Sequence, residues 1–182
     1  MGIPASLQRI AVLTVLAAAC TSRAPEDSYA RGHRLSVAKL SPAAEAQVVD
    51  AATREAFDVE PGLTLRVHPR RLPREAGDQG GTPVPSGLVR ALRERGLVLG
   101  TCEPARTSPR DTPRCAGPEA GYIIRPSEVF LVARDTVEVN LAAEKFGAAT
   151  GQKPEALRFE KVYQVVKEGS RWRVIREGRM RQ

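Results

Sequence analysis

The chain has 182 residues, with 28 Lys and Arg against 21 Asp and Glu, a formal net charge of +7. Hydrophobic residues make up 42% and aromatics 4%, so the core must be built mainly from Val, Leu, Ile and Ala. The length suits one ordinary domain and a tether. The first element is the apolar run Ile10 to Ala19. It follows Arg9, and no acid occurs before Glu26. A basic start, an apolar stretch and small residues at its end read as a secretory signal. The run is too short to span a bilayer, which needs about 20 apolar residues. No second long apolar run follows, so no other segment is expected to span a membrane.

The run closes on Ala17-Ala18-Ala19-Cys20. That ending resembles the lipobox of bacterial lipoproteins, a resemblance covering residues 1–21. It implies a signal peptide over 1–19, lipid on the Cys20 thiol, and a mature chain that starts at Cys20. The family prefers Leu three residues before the cysteine, where this chain has Ala17. Cleavage by an ordinary signal peptidase after Ala19 is the rival reading, since Ala17-x-Ala19 fits its rule. Thr21 after the cysteine, rather than Asp, implies sorting to an outer membrane, facing the periplasm.

Residues 20–40 are polar and aperiodic, and read as a lipidated flexible tether. The folded domain is expected over 41–182. Ser41-Pro42 is a helix start, a capping hydroxyl followed by proline at the first helical position. The helix runs to Phe57, with Ala44, Val48, Ala51, Ala52 and Phe57 on its apolar face and Glu45, Asp50 and Arg54 elsewhere. Leu63 to Val67 alternates as a strand. A breaker-rich loop over 68–85 follows. Ser86 then caps a short helix through Arg95, with Gly96 just past its end. Leu97-Val98-Leu99 reads as a short buried strand.

Cys102 and Cys115 bound a second Pro-rich loop, 102–118. Two thiols on one loop of an exported protein pair readily. Closing a loop near 15 residues contributes about 3 kcal/mol in the chain-entropy model. Zinc is disfavoured by the spacing.

From Ser127 the pattern turns to strands. Glu128 to Ala133, the turn Arg134-Asp135, and Thr136 to Leu141 form the first pair. Val137, Val139 and Leu141 are expected inside, Glu138 and Asn140 outside. Gly147 to Glu155 is a loop. Leu157 to Lys167, the turn Glu168-Gly169-Ser170, and Arg171 to Ile175 form the second pair. The reading is an α+β fold: a four-stranded antiparallel meander covered by two N-terminal helices. The closing hairpin, Tyr163 to Ile175, resembles the last two strands of nuclear transport factor 2-like domains. That resemblance implies a bent sheet, a shape that cystatin-like domains offer as well, but it selects no function.

Motifs for chemistry are sparse. Ser36-Val37-Ala38-Lys39 matches S-x-x-K, yet no Ser-Asp-Asn or Lys-Thr-Gly follows. Gly147 to Lys153 fits a phosphate loop only loosely. His33 and His68 are expected on the surface. Glu138 and Glu160 are expected to form ion pairs on the solvent face. Tyr122, Tyr163 and Trp172 fit core or rim packing better than a pocket lining. No catalytic residue, metal site or cofactor is expected.

The basic excess is uneven. Residues 60–110 carry nine Arg and five acids, and residues 167–182 carry six Lys or Arg and two acids. Arg66, Arg70, Arg71 and Arg74 form a candidate anion-binding group. No aromatic interleaves with the Arg of 60–110, so nucleic acid is not an expected partner. The leading expectation is a non-enzymatic lipoprotein. Its partners would be the membrane, through lipid on Cys20, and an envelope protein or small ligand. Two alternatives stay open: a binder of anionic glycan or lipid through the Arg-rich surface, and a small envelope enzyme with a pocket in the sheet.

Overall fold

Strand β1 (Ser36–Val37) and helix α1 (Pro42–Phe57) come first in a computed structural model that describes residues 35–57, 64–74, 80–103, 115, 121–146 and 159–179. Cys20, His33 and the Gly147 to Lys153 motif lie outside the described residues. The chain continues through β2 (Leu65–Val67), α2 (Ser86–Glu94), β3 (Gly121–Ala133), β4 (Thr136–Phe146), β5 (Phe159–Glu168) and β6 (Arg171–Arg179).

Helix α1 starts as its sequence dictates. The Ser41 hydroxyl accepts the Ala44 backbone N–H at 3.2 Å, and Pro42 needs no partner in the first turn. Helix α2 is capped differently from the expectation. Ser86 lies inside the helix, and Pro85 occupies the N-cap with no side-chain bond. Its end is a Schellman motif: Gly96 N–H donates to Arg93 at 2.8 Å and Leu97 N–H to Leu92 at 3.1 Å, with Gly96 at φ 69°.

The expected α+β class holds, but the sheet has six strands rather than four. β3, β4, β5 and β6 form the antiparallel meander. β1 and β2 share the other edge of β3. β1 pairs antiparallel, with Ser36 opposite Leu131. β2 pairs parallel, with Leu65 opposite Tyr122. Strand β1 therefore lies before Ser41, inside the stretch read as tether. Ala38 and Leu40 pack against the core as well.

β3 begins at Gly121, earlier than the sequence suggested, because Pro126 hides it. Proline has no N–H for a ladder and is tolerated at a bulge. Here Ser127 and Glu128 together oppose the single residue Asn140, between the Pro126–Leu141 and Val129–Val139 pairs. The Ser127 hydroxyl accepts the Asn140 N–H at 2.9 Å, supplying the bond the bulge removes.

The core lies between α1, α2 and one face of the sheet. Val48, Val49 and Ala52 of α1 and Leu88 and Leu92 of α2 meet Val137, Val139, Leu141, Tyr163 and Val165. Side chains fill this face. Burying each large aliphatic side chain contributes about 1.5–3 kcal/mol. Phe57 closes one end against Tyr122 and Phe159, with ring centroids 5.1 and 5.3 Å away.

After β2 the chain stays beside the sheet. His68 N–H donates to Ile124 at 2.9 Å and Leu72 N–H to Pro126 at 3.0 Å. It then folds back, with Arg71 N–H donating to Thr82 at 2.8 Å and Val84 N–H to Pro69 at 3.0 Å. Gly81, at φ 62°, is required there, because a Cβ would collide with the Arg71 carbonyl. Residues 99–102 add a further parallel ladder on β2: Leu99 N–H donates to Leu65 at 2.9 Å and Cys102 N–H to Val67 at 3.1 Å. Leu97 and Val98 are buried as expected, but Leu99 is exposed.

Candidate functional site

The four candidate anion-binding arginines do not form one surface. Arg71 is 6% exposed. Its guanidinium pairs with Glu45 of α1 at 2.6 Å and donates to the Ser127 carbonyl at 2.8 Å. It fastens the 68–74 segment to the helix and to the β3 bulge. Arg70 is half-buried and donates to the Gly81 carbonyl at 3.1 Å, inside its own loop. Arg66 is half-buried, and its Nε has no hydrogen-bond partner among the described residues. Arg74 is exposed. It donates to the Leu35 carbonyl at 3.0 Å and lies 5.8 Å from the centre of the Phe130 ring.

Ion pairing explains the two helix expectations that differ. Glu45 and Asp50 were expected away from the apolar face. Asp50 is buried because it holds two arginines, Arg54 at 2.6 Å and Arg95 at 2.5 Å. Arg95 caps the end of α2, so this carboxylate ties the two helices together.

The second face of the sheet is shielded from solvent along β4. Glu138 is 0% exposed and Asn140 is 6% exposed, against the expectation that both face out. Alternation along β4 does put them opposite Val137 and Val139. It cannot report whether the second face is covered. Glu138 shares a cross-strand row with Phe130 and Gln164, and Gln164 donates to it at 3.4 Å. Glu160 is half-buried, in a row with Arg125 and Ala142. Arg125 reaches around the sheet edge, donating to the carbonyls of Arg70, Arg71 and Gly80 at 3.0–3.2 Å.

His68 is buried, not on the surface, at 7% exposure. Its Nδ1 lies 3.0 Å from the Arg70 N–H and 2.8 Å from the Arg70 carbonyl. Burial is the main cause that pushes its pKa down from 6.5 to about 4, and the Arg125 charge adds to it. A neutral ring in this place is a structural hydrogen-bond partner for the loop backbone.

Cys102 and Cys115 are joined by a disulfide, with Cα atoms 4.5 Å apart. Tyr163 is fully buried in the core, and Trp172 packs partly against it. Burial pushes the Tyr163 hydroxyl well above its ordinary pKa, with the Glu177 and Glu55 charges adding to that. Its oxygen has no hydrogen-bond partner among the described residues. Ser36 and Lys39 of the S-x-x-K match are both exposed. Ser36 is a strand residue on β1, so the helical spacing that this motif requires is absent.

The basic C-terminal strand behaves differently from the arginine loop. Arg171, Arg173 and Arg176 are exposed on β6. Arg173 pairs with Glu168 at 2.5 Å, and their hydrogen bond holds the Glu168 carboxyl below its usual range. The two hairpin turns of the meander lie at one end of the sheet, because Lys167 N–H donates to the Asp135 carbonyl at 2.8 Å. That end gathers Arg134, Lys167 and Arg171, a grouping the sequence reading missed. Antiparallel pairing is the signal that could have found it, since it brings successive turns together.

Among the described residues, no group of three His, Cys, Asp or Glu side chains could hold a metal ion. No helix among them is long and apolar enough to cross a membrane. No protein-family model, curated protein or solved structure matches the chain. What can be read of this protein therefore comes from its own residues: an α+β domain with an apolar core under its helices, fastened by ion pairs and a disulfide.

Proposed function

We propose that this chain is an exported lipoprotein, anchored through lipid on Cys20, whose domain is a non-enzymatic interaction module at the periplasmic face of an outer membrane. The observation that carries the reading is Ala17-Ala18-Ala19-Cys20 at the end of the apolar run Ile10 to Ala19. A disulfide between Cys102 and Cys115 suits an oxidising compartment. Apolar side chains fill the helical side of the sheet, which favours the outer surface over an interior cavity as the place of interaction. The closing hairpin's likeness to nuclear transport factor 2-like domains supports the sheet as a scaffold and no activity in particular.

Lipid makes the anchor firm, since each buried CH₂ contributes about 0.8 kcal/mol and two or more chains hold stably. Intact-mass measurement of protein extracted from membranes tests the proposal. The expected mature chain begins at Cys20 and carries the mass of diacylglycerol, with or without a further acyl group. A mature chain beginning at Cys20 with an unmodified thiol overturns it.

A further inference from the structure

We infer that the end of the sheet bearing the two hairpin turns docks on the anionic headgroups of a phospholipid bilayer. This deepens the lipoprotein reading and rests on it for the orientation of the domain. Four observations converge. Arg74, Arg134, Lys167 and Arg171 are exposed, and none of them is ion-paired among the described residues. The acids of the two turns are only Asp135 and Glu168, and Glu168 is already neutralised by Arg173. The end therefore carries an excess of about three positive charges. Beside these charges stand two exposed apolar side chains, Val37 at 41% and Leu131 at 44%.

The fourth observation is where the chain enters. Ser36 pairs with Leu131, so Leu35 sits at this same end, and its carbonyl is held by Arg74. Cys20 is 15 residues upstream of Leu35. A chain of that length reaches at most about 50 Å. Lipid on Cys20 would thus hold the basic end within about 50 Å of the bilayer, in reach of its headgroups. From β1 to β6 the end spans four strand spacings, about 19 Å, wide enough to contact several headgroups. Basic side chains near an anionic leaflet each contribute about 1 kcal/mol, or roughly fivefold in partitioning. The attraction fades beyond a Debye length of about 8 Å at physiological salt, so it acts only on a docked domain.

The molecule supplies its own reporter. Trp172 is the single tryptophan, and it lies opposite Lys167 at this end. The experiment places the protein extracted from its host in vesicles carrying a dansyl headgroup probe. One set is phosphatidylcholine alone, and the other also contains phosphatidylglycerol. Energy transfer from Trp172 should be higher on the anionic vesicles, and added salt should reduce it to the neutral level. The variant R134Q/K167Q/R171Q, with unchanged near-ultraviolet dichroism, should lower docking on the order of 100-fold, three fivefold steps. Equal transfer on the two vesicle types, or transfer that salt does not change, overturns the inference without any substitution.

Failure of the anchor reads separately. Flotation with neutral vesicles reports the lipid on Cys20, whatever the basic end does. Protein that floats with neutral vesicles but shows equal transfer keeps its anchor and loses the docking surface. Protein with an unmodified Cys20 that is recruited only to anionic vesicles, and released by salt, loses the anchor and keeps the docking surface.

Discussion

The core under the helices and the loop along the β2 edge are closed by different physics. On the helical side, Val48, Val49, Leu88 and Leu92 meet Val137, Val139, Leu141 and Val165 in an apolar fit. Along the β2 edge, the side-chain contacts that fasten the loop are largely polar. Arg71 bridges Glu45 and Ser127, Arg125 gathers three carbonyls, and His68 bonds the loop backbone through Nδ1. An apolar interface tolerates local change by repacking. A buried charged contact does not, because removing one partner strands the other. The arginine-rich loop is thus part of the scaffold rather than a free cationic surface.

The sharpest way to break that comparison is Arg71→Met. Glu45 and the Ser127 carbonyl would lose their partner together. Loss of one member of a buried pair costs about 3–5 kcal/mol. The lower part of that range is expected, because the Glu45 side chain keeps 14% exposure. Urea unfolding of the variant should show it. Adding Glu45→Leu should recover much of the loss, since apolar replacement of a whole buried pair is often neutral or stabilising. A single variant as stable as the parent would return Arg71 to the solvent surface. The same residue also limits tests of anion binding, because substituting Arg66, Arg70, Arg71 and Arg74 together would disturb the fold.

This contrast also marks what the sequence could tell. The helical side was legible because its signals are local. Ser41-Pro42 fixes the start of α1, Gly96 fixes the end of α2, and Val137, Val139 and Leu141 recur every second residue. The Cys102–Cys115 pair was legible from two thiols bounding one Pro-rich loop. The long-range polar contacts were not legible, because their partners are distant in the chain. Glu45 finds Arg71 across 26 residues, and Asp50 finds Arg95 across 45. Such pairs look like solvated charges until the fold brings them together. β1 and β2 are short strands, and their place is fixed by β3, whose own start Pro126 concealed. Of the candidate site, Arg74 was legible as an exposed charge. Its grouping with Arg134, Lys167 and Arg171 required the register of the hairpins.

A pH titration sharpens the comparison at His68. The unfolded chain takes up this proton near pH 6.5, whereas the folded protein resists it until about pH 4. Stability from the neutral ring is therefore complete above pH 6.5. It declines as pH falls towards 4, because the unfolded state binds more protons across that window. The loss is on the order of 3 kcal/mol by pH 4. Urea midpoints measured across the window should fall for the parent and fall less for His68→Gln. Parallel curves for the two proteins would show that His68 is not the group responsible.

The smallest expected effect lies on the helical side, where one polar atom sits among apolar ones. Tyr163 is 0% exposed, and its hydroxyl has no hydrogen-bond partner among the described residues. Burying a hydroxyl without a partner costs about 1–3 kcal/mol by mutational measures. Tyr163→Phe keeps the ring between Val139 and its neighbours and removes only that atom. The variant should therefore unfold at a higher urea concentration, with a gain of about 1 kcal/mol. The unfolding slope should stay the same, because the buried surface barely changes. A loss of stability instead would mean that the hydroxyl is satisfied in solution, by a buried water for example. The strand core around Tyr163 would then share the dependence on paired polar groups that marks the β2 edge.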